Sequence, residues 1–351
     1  MDRERATAIG KVVGLFALVS LLSTPRIASA EEFVDGVNAL NRGQYEAAME
    51  ILTPLAEQGN ATAQYDIGVM YYKGQGVEQD YAAAAGWLMA AAEGGYAAAQ
   101  NDLGRMYYLG QGVEQDYKLA VTWFTKAAER GNADAQAYLG KMYYSGLGVE
   151  QDYKLAMKWY TKAAERGDAS AQAGLGHMYH DGHGVAQDYA ASVKWFTEAA
   201  EQGDAEAQFS IGVMYDYGQG VTQDYKTALK WYTKAAEQGY ASAQNNIGAM
   251  YDKAHGVAQD YKLAAKWYLA AVKQGEAVAQ YNIGNLYYNG FGVLQDYKKA
   301  HMWLNIAASH GIDNASENRN VVESKMSISQ IETAQEMAKR CVSSNYKQCD
   351  Y

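Results

Sequence analysis

Proline is nearly absent from this sequence. The chain has 351 residues but only two prolines, Pro25 and Pro54, whereas glycine occurs 35 times. Proline and glycine can both end a helix, but only glycine is frequent enough to do so throughout the chain. The ends of helices are therefore expected at glycines.

Positive charge is also in short supply. The formal net charge is −10, and the first thirty residues carry four basic and two acidic side chains, so the rest of the chain carries −12 (−10 − 2 = −12). Proteins that bind nucleic acid or anionic lipid present a basic surface. No nucleic-acid partner is expected.

Apolar runs at the start of the chain are too short to cross a membrane. Residues 12–22 (VVGLFALVSLL) form eleven apolar positions, whereas a spanning helix needs about twenty. A short basic segment precedes them and Ala28-Ser29-Ala30 follows, which is the layout of a secretory signal peptide. We expect a signal peptide over residues 1–30, cleavage after Ala30, and a periplasmic or secreted protein without stable membrane insertion.

Cysteine is limited to Cys341 and Cys349. In an oxidising compartment, an even pair close in sequence predicts a disulfide. A redox-active or metal-binding role has less support, because the pair lacks Cys-x-x-Cys spacing and a matching histidine cluster.

A repeat is the dominant feature that is present. The stretch 131–166, GNADAQAYLGKMYYSGLGVEQDYKLAMKWYTKAAER, has close copies whose starts differ by 36 (95 − 59 = 36). Such a period is typical of stacked repeat arrays. The copies run without insertion over residues 59–94, 95–130, 131–166, 167–202, 203–238, 239–274 and 275–310.

Each copy has the pattern of a helical hairpin. In the copy at residue 95, Ala99, Leu103 and Met106 share one face of a first helix. Gly110 is placed to end that helix in the left-handed conformation, and Asp116 is placed to cap the second helix. One αα-hairpin per copy is predicted.

Glycines at position 68 and at its equivalents lie inside the predicted first helices, where each costs about 1 kcal/mol relative to alanine. A cost repeated in every copy indicates a close approach, and we expect it to be made to Ala84, Ala120 and their equivalents. The recurring tyrosines and tryptophans are expected to be packing residues.

The pattern Ala-x-Ala-Gln-x-x-Leu-Gly-x-Met-Tyr-x-x-Gly-x-Gly-Val-x-Gln-Asp-Tyr-x-x-Ala-x-x-Trp resembles the Sel1-like repeat, a relative of the tetratricopeptide repeat. The resemblance covers residues 59–310. It implies an all-α, right-handed α-solenoid superhelix with first helices on its concave side, and an adaptor role in protein complexes. Ala254, in place of the first loop glycine, and Ser192, in place of a second-helix alanine, depart from it.

The flanking segments are predicted to be caps. Residues 31–58 have the pattern of a tetratricopeptide-like capping hairpin. Residues 311–351 resemble the C-terminal helical cap of secreted bacterial members of the family. Within this segment, Ser327 and Gln330 fit a capping box, and Ile328, Ala334 and Cys341 share one helical face.

By analogy with the tetratricopeptide groove, a partner is expected on the seventh, eleventh and fourteenth positions of each repeat, which share one face of the first helix. These positions vary between copies and are more basic in copies two to four than in copies five and six. A protein or peptide partner is expected to place its acidic portion, or its carboxylate terminus, over the first half. The candidate residues are Tyr65, Tyr72, Arg105, Tyr108, Lys141, Tyr144, His177, His180, Phe209, Asp216, Asp252 and Tyr288.

No constellation of serine, cysteine and histidine typical of an enzyme is evident. His177 and His180 lie one helical turn apart, but their positions vary between copies and lack a third ligand, so no metal site is expected. We expect a monomeric, non-catalytic scaffold without a cofactor. Two alternatives are a glycan- or peptidoglycan-binding envelope protein, which would use exposed tyrosines, and a weak β-lactamase-like or penicillin-binding protein. The relatives associated with the latter activity carry a cysteine pair in every repeat, which this chain lacks.

Overall fold

The computed structural model describes residues 30–349, and this span contains eighteen α-helices and no strand. The predicted all-α class is confirmed, whereas the predicted signal peptide lies outside the described residues except for Ala30. The helices are α1 Ala30–Asn41, α2 Tyr45–Glu57, α3 Ala61–Lys73, α4 Tyr81–Glu93, α5 Ala97–Leu109, α6 Tyr117–Glu129, α7 Ala133–Ser145, α8 Tyr153–Ala164, α9 Ala169–Asp181, α10 Tyr189–Glu201, α11 Ala205–Tyr217, α12 Tyr225–Glu237, α13 Ala241–Lys253, α14 Tyr261–Val272, α15 Ala277–Asn289, α16 Tyr297–Ser309, α17 Ala315–Glu323 and α18 Ile328–Ser343.

The chain divides after Gly174 into two compact units. In the first unit, α1 to α8 pair as four successive hairpins, and the second helix of each hairpin packs on the first helix of the next. In the second unit, α11 to α16 repeat this arrangement, and α17 and α18 pack on α16. Between residues 30 and 349, no helix is long and apolar enough to cross a membrane.

A glutamine and an aspartate close the loop inside each repeat. The Asp116 carboxylate accepts hydrogen bonds from the backbone amides of Lys118 and Leu119 at 2.9 and 3.0 Å. The Gln115 side-chain amide donates to the carbonyl of Tyr108 at 2.9 Å, and the equivalent glutamine bond is present in all seven repeats. The pair therefore satisfies groups that the end of one helix and the start of the next leave open.

The two loop glycines have separate functions. Gly110 ends α5 with a φ of +70°, and Ala254 adopts the same left-handed conformation at the end of α13, with a φ of +61°. The second glycine lies against the preceding repeat: a Cβ on Gly148 would lie 2.5 Å from the carbonyl carbon of Tyr117, at the start of α6. A side chain there would push the loop away from the preceding hairpin.

The glycines inside the first helices pack against the second helix of the same repeat. A Cβ on Gly104 would lie 2.8 Å from the ring of Phe124, and one on Gly212 would lie 2.7 Å from the ring of Tyr232. The close approach is as predicted, but the predicted partner, Ala120 or its equivalent, is wrong: the nearest atoms belong to the residue four positions later. Helical side chains lean toward the N-terminus of their helix, so a residue covers the turn that precedes its own Cα.

In six of the seven repeats, a glutamine in the first helix joins the repeat to the helix before it. The Gln100 side chain is buried and donates to the carbonyl of Ala92 at 3.0 Å, and Gln208 donates to the carbonyl of Ala200 at the same distance. Open carbonyls at the end of a helix thereby gain a partner from the next repeat. The same bond is made by Gln64, Gln136, Gln172 and Gln244.

The C-terminal segment folds as two helices closed by a disulfide. Cys341 and Cys349 are bonded, and their Cα atoms lie 4.5 Å apart. The capping box is present at the start of α18, where Ser327 and Gln330 bond to each other's backbone amides. Ile328 was expected on the buried face, but it is 77% exposed because the first turn of α18 extends beyond the packed part of the helix.

Candidate binding surface on the first helices

The twelve predicted binding residues all lie on first helices, but many of them are already engaged in packing between repeats. The Tyr65 hydroxyl donates to the Asp102 carboxylate at 3.1 Å, and its ring lies 5.0 Å from that of Tyr96. Burial, followed by the negative charge of Asp102, raises the pKa of Tyr65. Tyr65 therefore links two repeats as a neutral hydrogen-bond donor.

The aromatic residues at the fourteenth position form a second set of packing contacts. In the first three repeats, each packs against the tyrosine that begins the second helix of its own repeat, with ring centroids 5.1 to 5.4 Å apart. The first of them, Tyr72, also donates to Gln111 of the next repeat at 2.9 Å. These contacts engage one edge or face of each ring. The pairs are Tyr72 with Tyr81, Tyr108 with Tyr117, and Tyr144 with Tyr153.

Arg105 and Lys141 are the two predicted residues that open into a common groove. This groove, between α5, α7 and the start of α9, encloses about 300 Å³. The Arg105 side chain is 45% exposed and lies 3.8 Å from the Asp102 carboxylate. The Lys141 ammonium is exposed and lies 5.7 Å from the centroid of the Tyr108 ring. Two cations on neighbouring first helices therefore face solvent together, as an anionic ligand requires.

The same groove contains residues that the sequence analysis missed. Asp134, Tyr138, Asp168 and Ser170 line it together with Ala137, Arg105 and Lys141. They occupy the second, fourth and eighth positions of their repeats, outside the three rows considered. The signal was available, because the second and fourth positions also vary between copies: the fourth is Thr62, Ala98, Asp134, Ser170, Glu206, Ser242 and Val278.

His177 and His180 lie in the second compact unit and point to different partners. His177 lies 3.1 Å from the Glu206 carboxylate, and its ring packs edge-on against Phe196. His180 lies 2.7 Å from the carboxylate of Asp181. Within residues 30–349, no group of three or more His, Cys, Asp or Glu side chains is placed to hold a metal ion.

Phe209 and Tyr288 also serve packing. The Phe209 ring lies 5.7 Å from Tyr232 and 5.1 Å from Tyr240, so it fills the space between its own repeat and the next. Tyr288 lies 5.9 Å from Tyr297 and lines a second groove, of about 300 Å³, at the C-terminal cap. Asparagine and valine side chains line the rest of that groove, so it offers no charged group to a ligand.

Asp216 and Asp252 are tied to the second helices of their own repeats. The hydroxyl of Tyr232 donates to Asp216 at 3.1 Å, and that of Tyr268 donates to Asp252 at 3.3 Å. Burial raises the pKa of both carboxyl groups, and the tyrosine hydrogen bonds partly oppose that shift. These aspartates therefore contribute to the interior of their repeats as well as to the surface.

Comparison with known proteins settles the family. The sequence profile of the Sel1 repeat matches seven consecutive segments, residues 61–96, 97–132, 133–168, 169–204, 205–240, 241–276 and 277–312. The chain belongs to the Sel1 repeat family. The resemblance to the Sel1-like repeat found in the sequence is thereby confirmed.

Solved structures of Sel1 repeat proteins are similar to this chain. A Sel1 repeat protein from Oxalobacter formigenes is 35% identical, with a TM-score of 0.65 over 69% of this chain and 97% of its own. The protein c5321, a protective antigen of uropathogenic Escherichia coli strains with an SLR fold, is 27% identical, with a TM-score of 0.56 over 97% of this chain and 96% of its own. Curated proteins give no significant match. Sel1 repeat proteins have a solenoid scaffold fold that is generally non-catalytic and typically used for protein interaction.

Proposed function

We propose that this Sel1 repeat protein is a non-catalytic scaffold of the periplasm or the secreted fraction that binds an extended protein partner along its first helices. The acidic portion of the partner, or its C-terminal carboxylate, lies over Arg105 and Lys141. The observation that carries the proposal is the groove of about 300 Å³ into which both cations open.

The chemistry of the two cations supports an anionic ligand. The Arg105 guanidinium is planar and can hold a carboxylate through two parallel hydrogen bonds, and the Lys141 ammonium adds a point charge beside it. Asp102 lies at 3.8 Å from Arg105, outside hydrogen-bonding distance, so the donors of the guanidinium remain open to a ligand.

The disulfide between Cys341 and Cys349 supports an oxidising compartment. Small disulfide-closed segments of this kind are typical of secreted and periplasmic proteins. The absence of a membrane-spanning helix between residues 30 and 349 is compatible with that location.

Affinity capture with in-cell crosslinking tests the proposal. The Arg105→Glu/Lys141→Glu protein is expected to lose the partner that the wild-type protein captures from the native envelope fraction, because the attraction becomes a repulsion. The matched control is Lys226→Glu/Lys230→Glu, which reverses two exposed charges on α12 and should leave capture unchanged. Equal capture by the wild-type and Arg105→Glu/Lys141→Glu proteins would refute the assigned surface.

A further inference from the structure

The groove between α5, α7 and α9 has an acidic half that the proposed function leaves unused. Asp134, in the first turn of α7, and Asp168, immediately before α9, line the same space as Arg105 and Lys141. The groove therefore carries two positive and two negative side chains. A purely acidic ligand would bring its own charge close to both carboxylates.

The structural functions of these two aspartates do not require their charge. Asp168 caps α9 by accepting from the amide of Ala171 at 2.7 Å. Asn132 caps α7 in the same way, accepting from Ala135 at 2.8 Å, so a neutral amide is sufficient at this position. At the position equivalent to Asp134, the two preceding repeats have threonine and alanine.

The two carboxylates also destabilise each other. Burial raises the pKa of Asp168, and the negative charge of Asp134 raises it further, while hydrogen bonds from backbone amides oppose the shift. A cationic group placed between Asp134 and Asp168 would offset both unfavourable effects. The acidic end of the groove is thus suited to an ammonium or guanidinium group.

The distance between the two ends of the groove matches an extended peptide. Asp134 and Lys141 are seven residues apart on one face of α7, a separation of about 10 Å along the helix axis. A peptide in the polyproline II conformation has three residues per turn and rises about 3.1 Å per residue, so its residues i and i+3 lie about 9 Å apart on the same side of the chain. Between the two charges lie Ala137 and Tyr138, and the Tyr138 ring is held by stacking on Phe124 at 4.7 Å.

We propose that this groove binds a peptide segment in the polyproline II conformation that carries an acidic and a basic side chain three residues apart. The acidic side chain lies between Arg105 and Lys141, and the basic side chain lies between Asp134 and Asp168. This inference rests on the proposed function and specifies the partner sequence that the surface selects.

Fluorescence anisotropy with labelled eight-residue peptides in a Gly/Ser background tests the inference. The peptides contain Glu-x-x-Lys, Glu-x-x-Glu or Lys-x-x-Lys, and wild-type protein is expected to bind the first most tightly. The Asp134→Asn/Asp168→Asn protein is expected to bind Glu-x-x-Lys about three- to tenfold more weakly while its affinity for Glu-x-x-Glu does not fall. The Arg105→Glu/Lys141→Glu protein is expected to prefer Lys-x-x-Lys.

Two controls separate recognition from folding. Asn retains the cap at position 168, and Asp204→Asn makes the same change at the start of α11, where Asp204 accepts from Ala207 at 2.7 Å; this variant should bind like wild type. Helix content and melting temperature of all variants are checked by circular dichroism.

The outcomes for the inference and for the proposed function are distinct. Equal affinity for Glu-x-x-Lys and Glu-x-x-Glu, or failure of every peptide to bind, would overturn the inference. Either result leaves the proposed function standing if Arg105→Glu/Lys141→Glu still abolishes capture of the native partner. Unchanged capture by that variant would remove the proposed function itself.

Discussion

The loop of the sixth repeat contains a backbone conformation that should be improved by a single substitution. Ala254 ends α13 with a φ of +61°, whereas the other six repeats have glycine at this position. An alanine Cβ is crowded by the backbone in the left-handed region, and glycine has no Cβ. We therefore expect Ala254→Gly to stabilise the protein, although alanine-to-glycine changes normally destabilise helical proteins.

The expected magnitude follows from two opposing effects. The left-handed conformation costs a residue with a Cβ about 1–2 kcal/mol. Glycine gives the unfolded chain more conformational freedom, which costs about 0.4–1 kcal/mol. The difference is a net stabilisation of about 0.5–1 kcal/mol. The reverse change, Gly218→Ala, should destabilise by at least that amount, because its new Cβ would also lie 3.3 Å from the Cβ of Gln223.

Urea unfolding followed by tryptophan fluorescence measures both changes. Ala254→Gly should raise the midpoint and Gly218→Ala should lower it, with the slope of the transition unchanged. Gly86→Ala is the matched control: Gly86 lies in the exposed interior of α4 with no neighbour that a Cβ would meet, so alanine should stabilise there by about 1 kcal/mol. A lower urea midpoint for Ala254→Gly would refute the idea that the backbone of Ala254 is strained.

Two further predictions concern packing and pH. Gly140→Val should destabilise the protein by about 1–3 kcal/mol because its Cβ would overlap the Tyr160 ring, whereas Gly86→Val, on an exposed face, should cost much less; equal thermal shifts would contradict the close packing. Burial raises the pKa of Asp66 to about 6, above its unfolded value near 3.9, so its ionisation lowers stability as the pH rises through this window. Asp66→Asn should therefore stabilise the protein at pH 7.5 by roughly 1 kcal/mol, after allowance for the partial exposure of the side chain, and this should be measured as a higher melting temperature. The gain should vanish near pH 3.5. A gain independent of pH would show that the charge is not its cause.

Local features of the fold could be predicted because they depend on a few neighbouring residues. The cap at Asp116 and the left-handed turn at Gly110 follow from the chemistry of single positions. The partner of Gly104 was assigned to the wrong turn of the second helix, because spacing predicts which face of a helix is buried but not how far a side chain leans along it. The direction in which the Phe124 side chain leans, toward Gly104, is seen only in the three-dimensional structure.

The candidate surface was predicted less well. The seventh, eleventh and fourteenth positions were chosen from the face of a single first helix, without the contacts that this helix makes with its neighbours. Asp216 and Asp252 appeared to be surface residues, but each accepts a hydrogen bond from a tyrosine of the second helix. The sequence holds a trace of this pairing, since aspartate occurs at this position only in repeats whose second helix has a tyrosine sixteen residues later. The placement of Asp134 and Asp168 in the groove depends instead on how one first helix lies beside the next, and the sequence of a single repeat does not contain that information.

The choice of residue at a tolerant position is therefore the most informative feature of this chain. Start positions of first helices accept an asparagine or an aspartate equally well as caps, as Asn60 and Asp168 show. Asparagine also caps a helix at such a position, so capping alone does not require the charge. In the first compact unit, the charged alternative at a first-helix cap occurs at Asp168, in the groove that also holds Arg105 and Lys141. A charge that capping does not need, placed beside charges of the opposite sign, is best explained by a ligand that carries both signs.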